Sequence, residues 1–179
     1  QILDPNLLHT LENLPKRTGK TVDFQSFCLY PTSQDVLGNP AVDLAEKHLA
    51  IINDDASILN FFEKFYNFGV LFPHAQLTTH GSAFHFLLDL QNNPTPPDII
   101  FTDIQLADGT GYYLVQQLRS QGYKGGIVAL TSYVEDSETA NYLASQGFDG
   151  FISLHSITTT SPVERLNQAA QIYLQQQAK

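Results

Sequence analysis

Polar residues at three places in this chain could together form one acidic, oxygen-rich site. Asn53, Asp54 and Asp55 follow one short apolar run, and Asp103 and Thr131 each end another. Runs of this kind predict buried strands, and ligands bind at the carboxyl ends of the strands in an open parallel sheet. Carboxylates gathered at that edge repel one another unless a cation lies between them. An all-oxygen site suits a hard ion, so the pattern predicts bound Mg²⁺.

Asp103 is the residue best suited to covalent chemistry. A strand-end carboxylate beside Mg²⁺ can attack a phosphorus atom and become an acyl phosphate, while the cation neutralises the phosphoryl oxygens. The Thr131 hydroxyl could hydrogen-bond one of those oxygens. Any one of these residues could be an ordinary turn residue after a strand, so the prediction depends on their occurring together on three strands of one sheet.

Strand-like and helical patterns alternate from His48 to the end of the chain. Alternation of this kind predicts βαβ crossovers and a parallel sheet, here a flavodoxin-like, doubly wound α/β domain with five strands. Its ligand edge is the one at which the polar residues gather. The predicted strands are 48–53, 75–79, 98–102, 126–130 and 150–153, and the predicted helices are 56–68, 82–91, 111–121, 137–146 and 162–176.

Composition narrows the function further. The net charge of −9 argues against a nucleic-acid surface, which needs clustered Lys and Arg. Cys28 is the only cysteine, so no disulfide framework is possible and a cytoplasmic location is expected. No apolar stretch approaches the roughly 20 residues of a membrane helix. The 179 residues include no Met, which suggests a fragment.

Residues 1–47 differ from the rest and form an N-terminal, partly helical extension to the domain 48–179. A helix is predicted from Asp4-Pro5 to near Gly19, and a short one over 40–47. The extension is too short to be a separate domain. We expect it to pack on the main domain or on a second copy of the chain.

Four motifs in this domain resemble the receiver domain of bacterial two-component response regulators. The resemblance runs from residue 48 to about residue 177, which is about three quarters of the chain. It implies that an output domain is missing from this fragment. The motifs are 52–55, 99–109, 129–132 and 147–151. A weaker likeness, to regulators of quorum-sensing type, rests on no single motif.

The resemblance implies a role for each site residue. Asp103 would accept a phosphoryl group from a sensor histidine kinase or a phosphotransfer protein. Mg²⁺ would be held by Asp54, Asp55, Asp103 and the carbonyl of Gln105. Thr131 and Phe151 would form the switch pair. The implied partners are the kinase, a C-terminal output domain and a second copy of the chain. The face formed by the fourth helix, fifth strand and fifth helix would carry the output or dimer contacts. Candidates for apolar surface on that face are Tyr142, Ile157 and Val163.

One departure from the family pattern is chemically important. The family has a lysine three residues after the switch aromatic, and Leu154 occupies that position here. A leucine cannot contact phosphoryl oxygens as the lysine ammonium does. The nearest basic substitute is His155, whose ordinary pKa is near 6.5. Gln105 and Tyr133 would flank the phosphoryl group and control the access of water to it.

Two other functions remain open on the sequence. A pseudo-receiver would keep the fold as a constitutive interaction module, as Leu154 suggests. A Mg²⁺-dependent phosphatase or hydrolase would also use a strand-end Asp, but it usually needs a second Asp two residues later, where this chain has Gln105.

Overall fold

The computed structural model of the protein describes residues 27–29, 41–93, 95–106, 109–131, 136–154 and 161–177. Strands and helices alternate through most of this length. The strands are β1 (His48–Ile52), β2 (Gln76–His80), β3 (Ile99–Asp103), β4 (Gln105–Leu106), β5 (Gly109–Thr110), β6 (Gly126–Thr131) and β7 (Gly150–Ser153). The helices are α1 (Ala56–Asn67), α2 (Ala83–Asn92), α3 (Gly111–Ser120), α4 (Ser137–Gln146) and α5 (Pro162–Gln177).

Five strands form one parallel sheet in the order β2-β1-β3-β6-β7. Alternate strand residues feed two hydrophobic clusters, one on each face. α1 and α5 cover one face, and α2, α3 and α4 cover the other. The strands β1, β3, β6 and β7 are buried almost throughout because both of their faces are covered. The predicted doubly wound α/β fold is therefore confirmed.

Local signals place the helices where the pattern predicts them. Ser82, Thr110 and Asp136 each cap a helix by accepting a hydrogen bond from a first-turn amide. Gly147 ends α4 in the left-handed conformation, with φ of 109°. Every predicted element of the sheet and its helices is present, with its bounds within one residue of the prediction.

Two local features differ from the prediction. β4 and β5 form a small antiparallel hairpin after β3, which the apolar periodicity does not reveal because each strand has only two residues. The helix predicted over 40–47 is absent from the described residues 41–47. The Val42 backbone instead exchanges two hydrogen bonds with the side chain of Gln171, at 2.7 and 2.9 Å, and the Asp43 carboxylate accepts from the Ala45 amide. These contacts hold the segment in a non-helical path.

Residues 27–29 lie against the outer side of β7. Cys28 and Phe151 form a parallel bridge, and the Leu29 amide donates to the Phe151 carbonyl at 3.2 Å. All three residues of the segment are buried. A short piece of the N-terminal extension thus continues the sheet beyond its fifth strand.

Some sequence predictions lie outside the described residues, namely those for Tyr133, His155, Ile157 and the N-terminal helix before Gly19. Val163 belongs to the core, whereas Tyr142 on α4 is half exposed. Within the described ranges, no helix is both long and apolar enough to cross a membrane.

Candidate functional site

The carboxyl ends of three neighbouring strands bring the predicted site residues to one edge of the sheet. β1, β3 and β6 are adjacent, and they end at Ile52, Asp103 and Thr131. Asp103 is in register with Leu130, so Thr131 lies one residue further along the neighbouring strand. Strands in a sheet are about 4.8 Å apart, which puts Asp103 and Thr131 on adjacent walls of one site.

Asn53 shapes the loop that carries the acidic pair. Asn53 is buried; its amide donates to the His80 carbonyl at 3.0 Å, and its side-chain oxygen accepts from the Asp55 amide at 2.8 Å. Asp55 then caps α1, and one of its oxygens accepts from the Ser57 amide at 2.9 Å. Asp54 and Asp55 are both exposed. The loop therefore presents two carboxylates to solvent from a fixed backbone.

Close contacts with the next turn of the chain hold the backbone of Asp103. The Gly111 amide donates to the Ile104 carbonyl at 2.7 Å. A β-carbon at Gly111 would lie 2.7 Å from the Asp103 carbonyl oxygen, so only glycine permits this approach. The Asp103 carboxylate itself accepts from the Gln105 amide at 3.1 Å.

The electrostatics of Asp103 are those of a crowded acidic site. Partial burial raises the pKa of the Asp103 carboxyl above its ordinary value, the Gln105 amide opposes that rise, and the negative charge of Asp54 adds to it. Asp54 and Asp103 therefore repel each other. A cation between them would relieve both the repulsion and the cost of burying the Asp103 charge.

The donor set fits magnesium better than a transition metal. The described residues contain no group of three or more His, Cys, Asp or Glu side chains placed to hold a metal. Mg²⁺ does not require such a cage, because it keeps several waters and binds through one or two carboxylates. Asp54 and Asp103 can supply those carboxylates, and Asp55 has a second oxygen beyond the one that caps α1.

The predicted switch pair lies on neighbouring strands. Thr131 is buried at the end of β6 and is in register with Ser153 of β7. Phe151 is fully buried in the cluster beneath α3 and α4, and its ring centroid is 5.9 Å from that of Phe27. The Phe151 side chain therefore lies inside the domain.

Leu154 directly follows β7, and the side chain of Arg165 on α5 reaches the end of the same strand. The Leu154 side chain packs against the core beneath α1 and α5, so its role is apolar. Arg165 is only 2% exposed, and its Nη1 donates to the Ser153 carbonyl at 2.9 Å. The Leu154 amide donates to Thr131, so the Ser153 carbonyl, one residue earlier, points to the opposite side of β7. Arg165 thus lies away from Asp103.

The sequence reasoning missed Asn53, Gly111 and Arg165. Asn53 stands inside a quoted motif, and a polar residue between a buried strand and an acidic pair is a signal that could have found it. The sequence predicts Gly111 as the first residue of a helix, and its close approach to the Asp103 backbone gives no signal in the sequence. Arg165 gives no sequence signal, because its burial depends on contacts with a strand end twelve residues earlier.

Comparison with known proteins agrees with the geometry. Residues 49–155 match a family described as the response regulator receiver domain. A CheY-like receiver domain protein from Methanospirillum hungatei JF-1 is similar in structure, with a TM-score of 0.57 at 19% identity over 74% of this chain and 98% of the other. The chemotaxis response regulator CheY4 of Vibrio cholerae is similar with a TM-score of 0.56 at 18% identity, covering 71% and 98%. A comparison with curated protein sequences found no match.

Proposed function

Because the chain belongs to the response regulator receiver domain family and has a role in phosphorylation-dependent signalling, we propose that Asp103 is its phosphoryl acceptor. The observation that carries this proposal is the position of the half-buried Asp103 at the end of β3, next to the strand β1 whose following loop presents Asp54 and Asp55. No other described aspartate ends a strand of the parallel sheet.

The transfer would proceed by in-line displacement. An oxygen of the Asp103 carboxylate attacks the phosphorus of a phosphohistidine, a P–O bond forms, and the P–N bond breaks. The imidazole leaves and is protonated. The fixed amide of Gln105, which already donates to the Asp103 carboxylate, keeps the attacking group oriented.

Magnesium supplies positive charge for the transferred phosphoryl oxygens when it is bound. Asp54, Asp103 and the Gln105 carbonyl would hold it, with Asp55 contributing directly or through a water molecule. Asp54 could bind the cation at little desolvation cost, because its side chain is exposed. The Thr131 hydroxyl would donate to a phosphoryl oxygen and would be drawn toward Asp103.

The partners follow from the family. A sensor histidine kinase or a phosphotransfer protein would donate the phosphoryl group, and an output domain would read the result. A second copy of the chain is a further candidate partner at the face formed by α4, β7 and α5, where Tyr142 is half exposed. The same proposal places the protein in the cytoplasm, where histidine kinases carry their phosphoryl groups.

A small phosphodonor tests the proposal without the native kinase. We expect acetyl phosphate and Mg²⁺ to add one phosphoryl group, seen by intact mass, and we expect EDTA to prevent this. Asp103→Asn should abolish the gain. Asp89→Asn is the matched control, because Asp89 is an exposed aspartate on α2, and it should label like the wild type. Labelling of Asp103→Asn at the wild-type rate would refute the assignment.

Leu154 favours one alternative, the pseudo-receiver. Its side chain is part of the core, so this position contributes packing and no charge. A pseudo-receiver would gain no phosphoryl group at millimolar Mg²⁺ over hours, either from acetyl phosphate or from a panel of phosphorylated histidine kinases. The phosphatase alternative is weaker, because the exposed amide of Gln105 cannot act as a general acid.

A further inference from the structure

Segment 27–29 contacts the receiver at its switch residue. Its parallel bridge is to Phe151, its Leu29 amide donates to the Phe151 carbonyl, and its Phe27 ring lies 5.9 Å from the Phe151 ring. Phe27, Cys28 and Phe151 belong to one core cluster. The backbone and the side chain of Phe151 are therefore both engaged by a segment more than one hundred residues away in the chain.

Gly150 shows that this docking is built into the fold. A β-carbon at Gly150 would lie 2.6 Å from Leu29 Cδ1 and 3.0 Å from the Phe27 carbonyl oxygen. Such distances are far below normal contact, so segment 27–29 can approach β7 only because residue 150 lacks a side chain. Leu29 is 1% exposed, and its side chain packs with the cluster beneath α1 and α5.

We propose that segment 27–29, which bridges β7 through Cys28, is an internal edge segment whose docking on β7 is coupled to the state of Asp103 through Thr131 and Phe151. This inference rests on the proposed function, since it uses phosphorylation of Asp103 as the input. It adds that the N-terminal extension, through segment 27–29, is a part of the same chain that responds to the state of the switch pair.

The physical basis of the coupling is competition for one space. Phe151 is completely buried, and residues 27 and 28 are part of what buries it. The ring can turn toward the outer edge of the sheet only if the segment leaves. A phosphoryl group that draws Thr131 toward Asp103 frees the space beneath Thr131. The free space favours the position of the Phe151 ring inside the domain. Phosphorylation should therefore hold the segment down, and its removal should loosen it.

Cys28 provides a native reporter for this docking. It is the only cysteine among the 179 residues, and it is 7% exposed within the segment. Its reaction with a maleimide requires the segment to open, so the labelling rate measures the open population. The experiment uses the full chain with Mg²⁺, with and without beryllofluoride as the phosphoryl mimic. Binding of beryllofluoride is followed separately by ¹⁹F NMR.

We expect beryllofluoride to slow Cys28 labelling by about fivefold or more, the lower end of coupling between protein sites. Phe151→Leu is the control for the route, because it removes the ring that segment 27–29 contacts and leaves the acceptor residues unchanged, and it should bind beryllofluoride without slowing the thiol. Gly150→Ala should label fast with and without the mimic, because its new methyl group displaces Leu29. Gly81→Ala, where a β-carbon meets nothing within 4 Å, should behave like the wild type.

The outcomes separate the two proposals. Beryllofluoride binding with an unchanged thiol rate in the wild type would overturn the coupling and leave the acceptor site standing. No binding of beryllofluoride would overturn the acceptor site and the coupling together. Slowing that persists in Phe151→Leu would overturn the route through the switch pair.

Discussion

The two edge strands of the sheet, β2 and β7, face the same physical problem and solve it differently. An edge strand carries unpaired backbone groups that can pair with another chain. β2 is partly exposed along most of its length, and its residues are mostly polar. β7 is buried at all four positions although it ends the main sheet.

Polar side chains occupy the β2 edge. His48 and His80 both contact the Thr78 hydroxyl, at 2.9 and 3.2 Å, and His80 Nδ1 is 3.0 Å from Nδ1 of His85 on α2. The Thr79 hydroxyl donates to Glu63 on α1. In the described part of the chain, no further strand pairs with β2.

Other parts of the chain close the β7 edge. The Leu29 amide binds the Phe151 carbonyl, and the Arg165 guanidinium binds the Ser153 carbonyl. Both carbonyls point away from β6. Segment 27–29 and α5 therefore each bind one carbonyl on the outer side of β7. The β7 edge, beside the predicted switch pair, is thus sealed by other parts of the same chain, whereas the β2 edge is protected by side chains at its own surface.

The largest effect is expected at Leu29. Leu29→Ala should lower the free energy of unfolding by about 2–3 kcal/mol, because it empties a fully buried site between the segment and the core. Leu77→Ala on β2 should cost about 1 kcal/mol, since Leu77 is only partly buried. Urea unfolding of both variants measures the difference. Equal losses would show that the two edges are equally dependent on apolar contacts.

A pair of glycine substitutions isolates steric closure. Gly150→Ala should cost about 1–3 kcal/mol, since its new methyl group meets Leu29 and the Phe27 carbonyl. Gly81→Ala, just after β2, should change stability by less than about 0.5 kcal/mol, because its β-carbon would meet nothing within 4 Å. Thermal unfolding gives both values, and a harmless Gly150→Ala would contradict close docking of segment 27–29.

The β2 edge should be the more sensitive to acid. Burial lowers the pKa of His80 to about 4, the positive charges of His85 and His48 contribute to this, and Asp89 opposes it. Between pH 6.5 and 4 the unfolded chain binds a proton at residue 80 that the folded chain does not. Stability is therefore full above pH 6.5 and falls as the pH drops toward 4.

His80→Gln should remove about 1–2 kcal/mol of that acid-dependent loss. His74→Asn is the control, because His74 is exposed and outside the histidine network, and asparagine tolerates its φ of 71°. Unfolding curves at several pH values test this. Parallel pH profiles for wild type and His80→Gln would contradict a neutral, buried His80.

The smallest effect is expected at the acidic site between the two edges. The raised pKa of Asp103 means that its ionised form is disfavoured in the folded chain. Asp103→Asn should therefore raise the unfolding free energy slightly in EDTA at neutral pH. Mg²⁺ should stabilise the wild type and leave the variant unchanged. Calorimetric scans with and without Mg²⁺ measure both effects, and Mg²⁺ stabilisation of Asp103→Asn would argue against a site at this residue.

Much of the fold could be predicted from local pattern, because each strand of the main sheet is a short apolar run and each helix has its own caps and stripe. Asp103 and Thr131 could be placed at the ligand edge for the same reason, since the alternation of strands and helices determines which strand ends meet. Contacts across long sequence separations could not be predicted. The Gln171 tether at Val42 overrode a local helix preference, and Arg165 has an ordinary polar helix position in sequence.

Residue type and short-range periodicity are enough to predict the alternation of elements, the acidic residues at the strand ends and the lack of the family lysine at Leu154. The docking of segment 27–29 on β7 through Phe151 comes from tertiary contacts alone. Edge pairing draws on backbone groups that every residue carries, so side-chain pattern cannot say which segment will supply them.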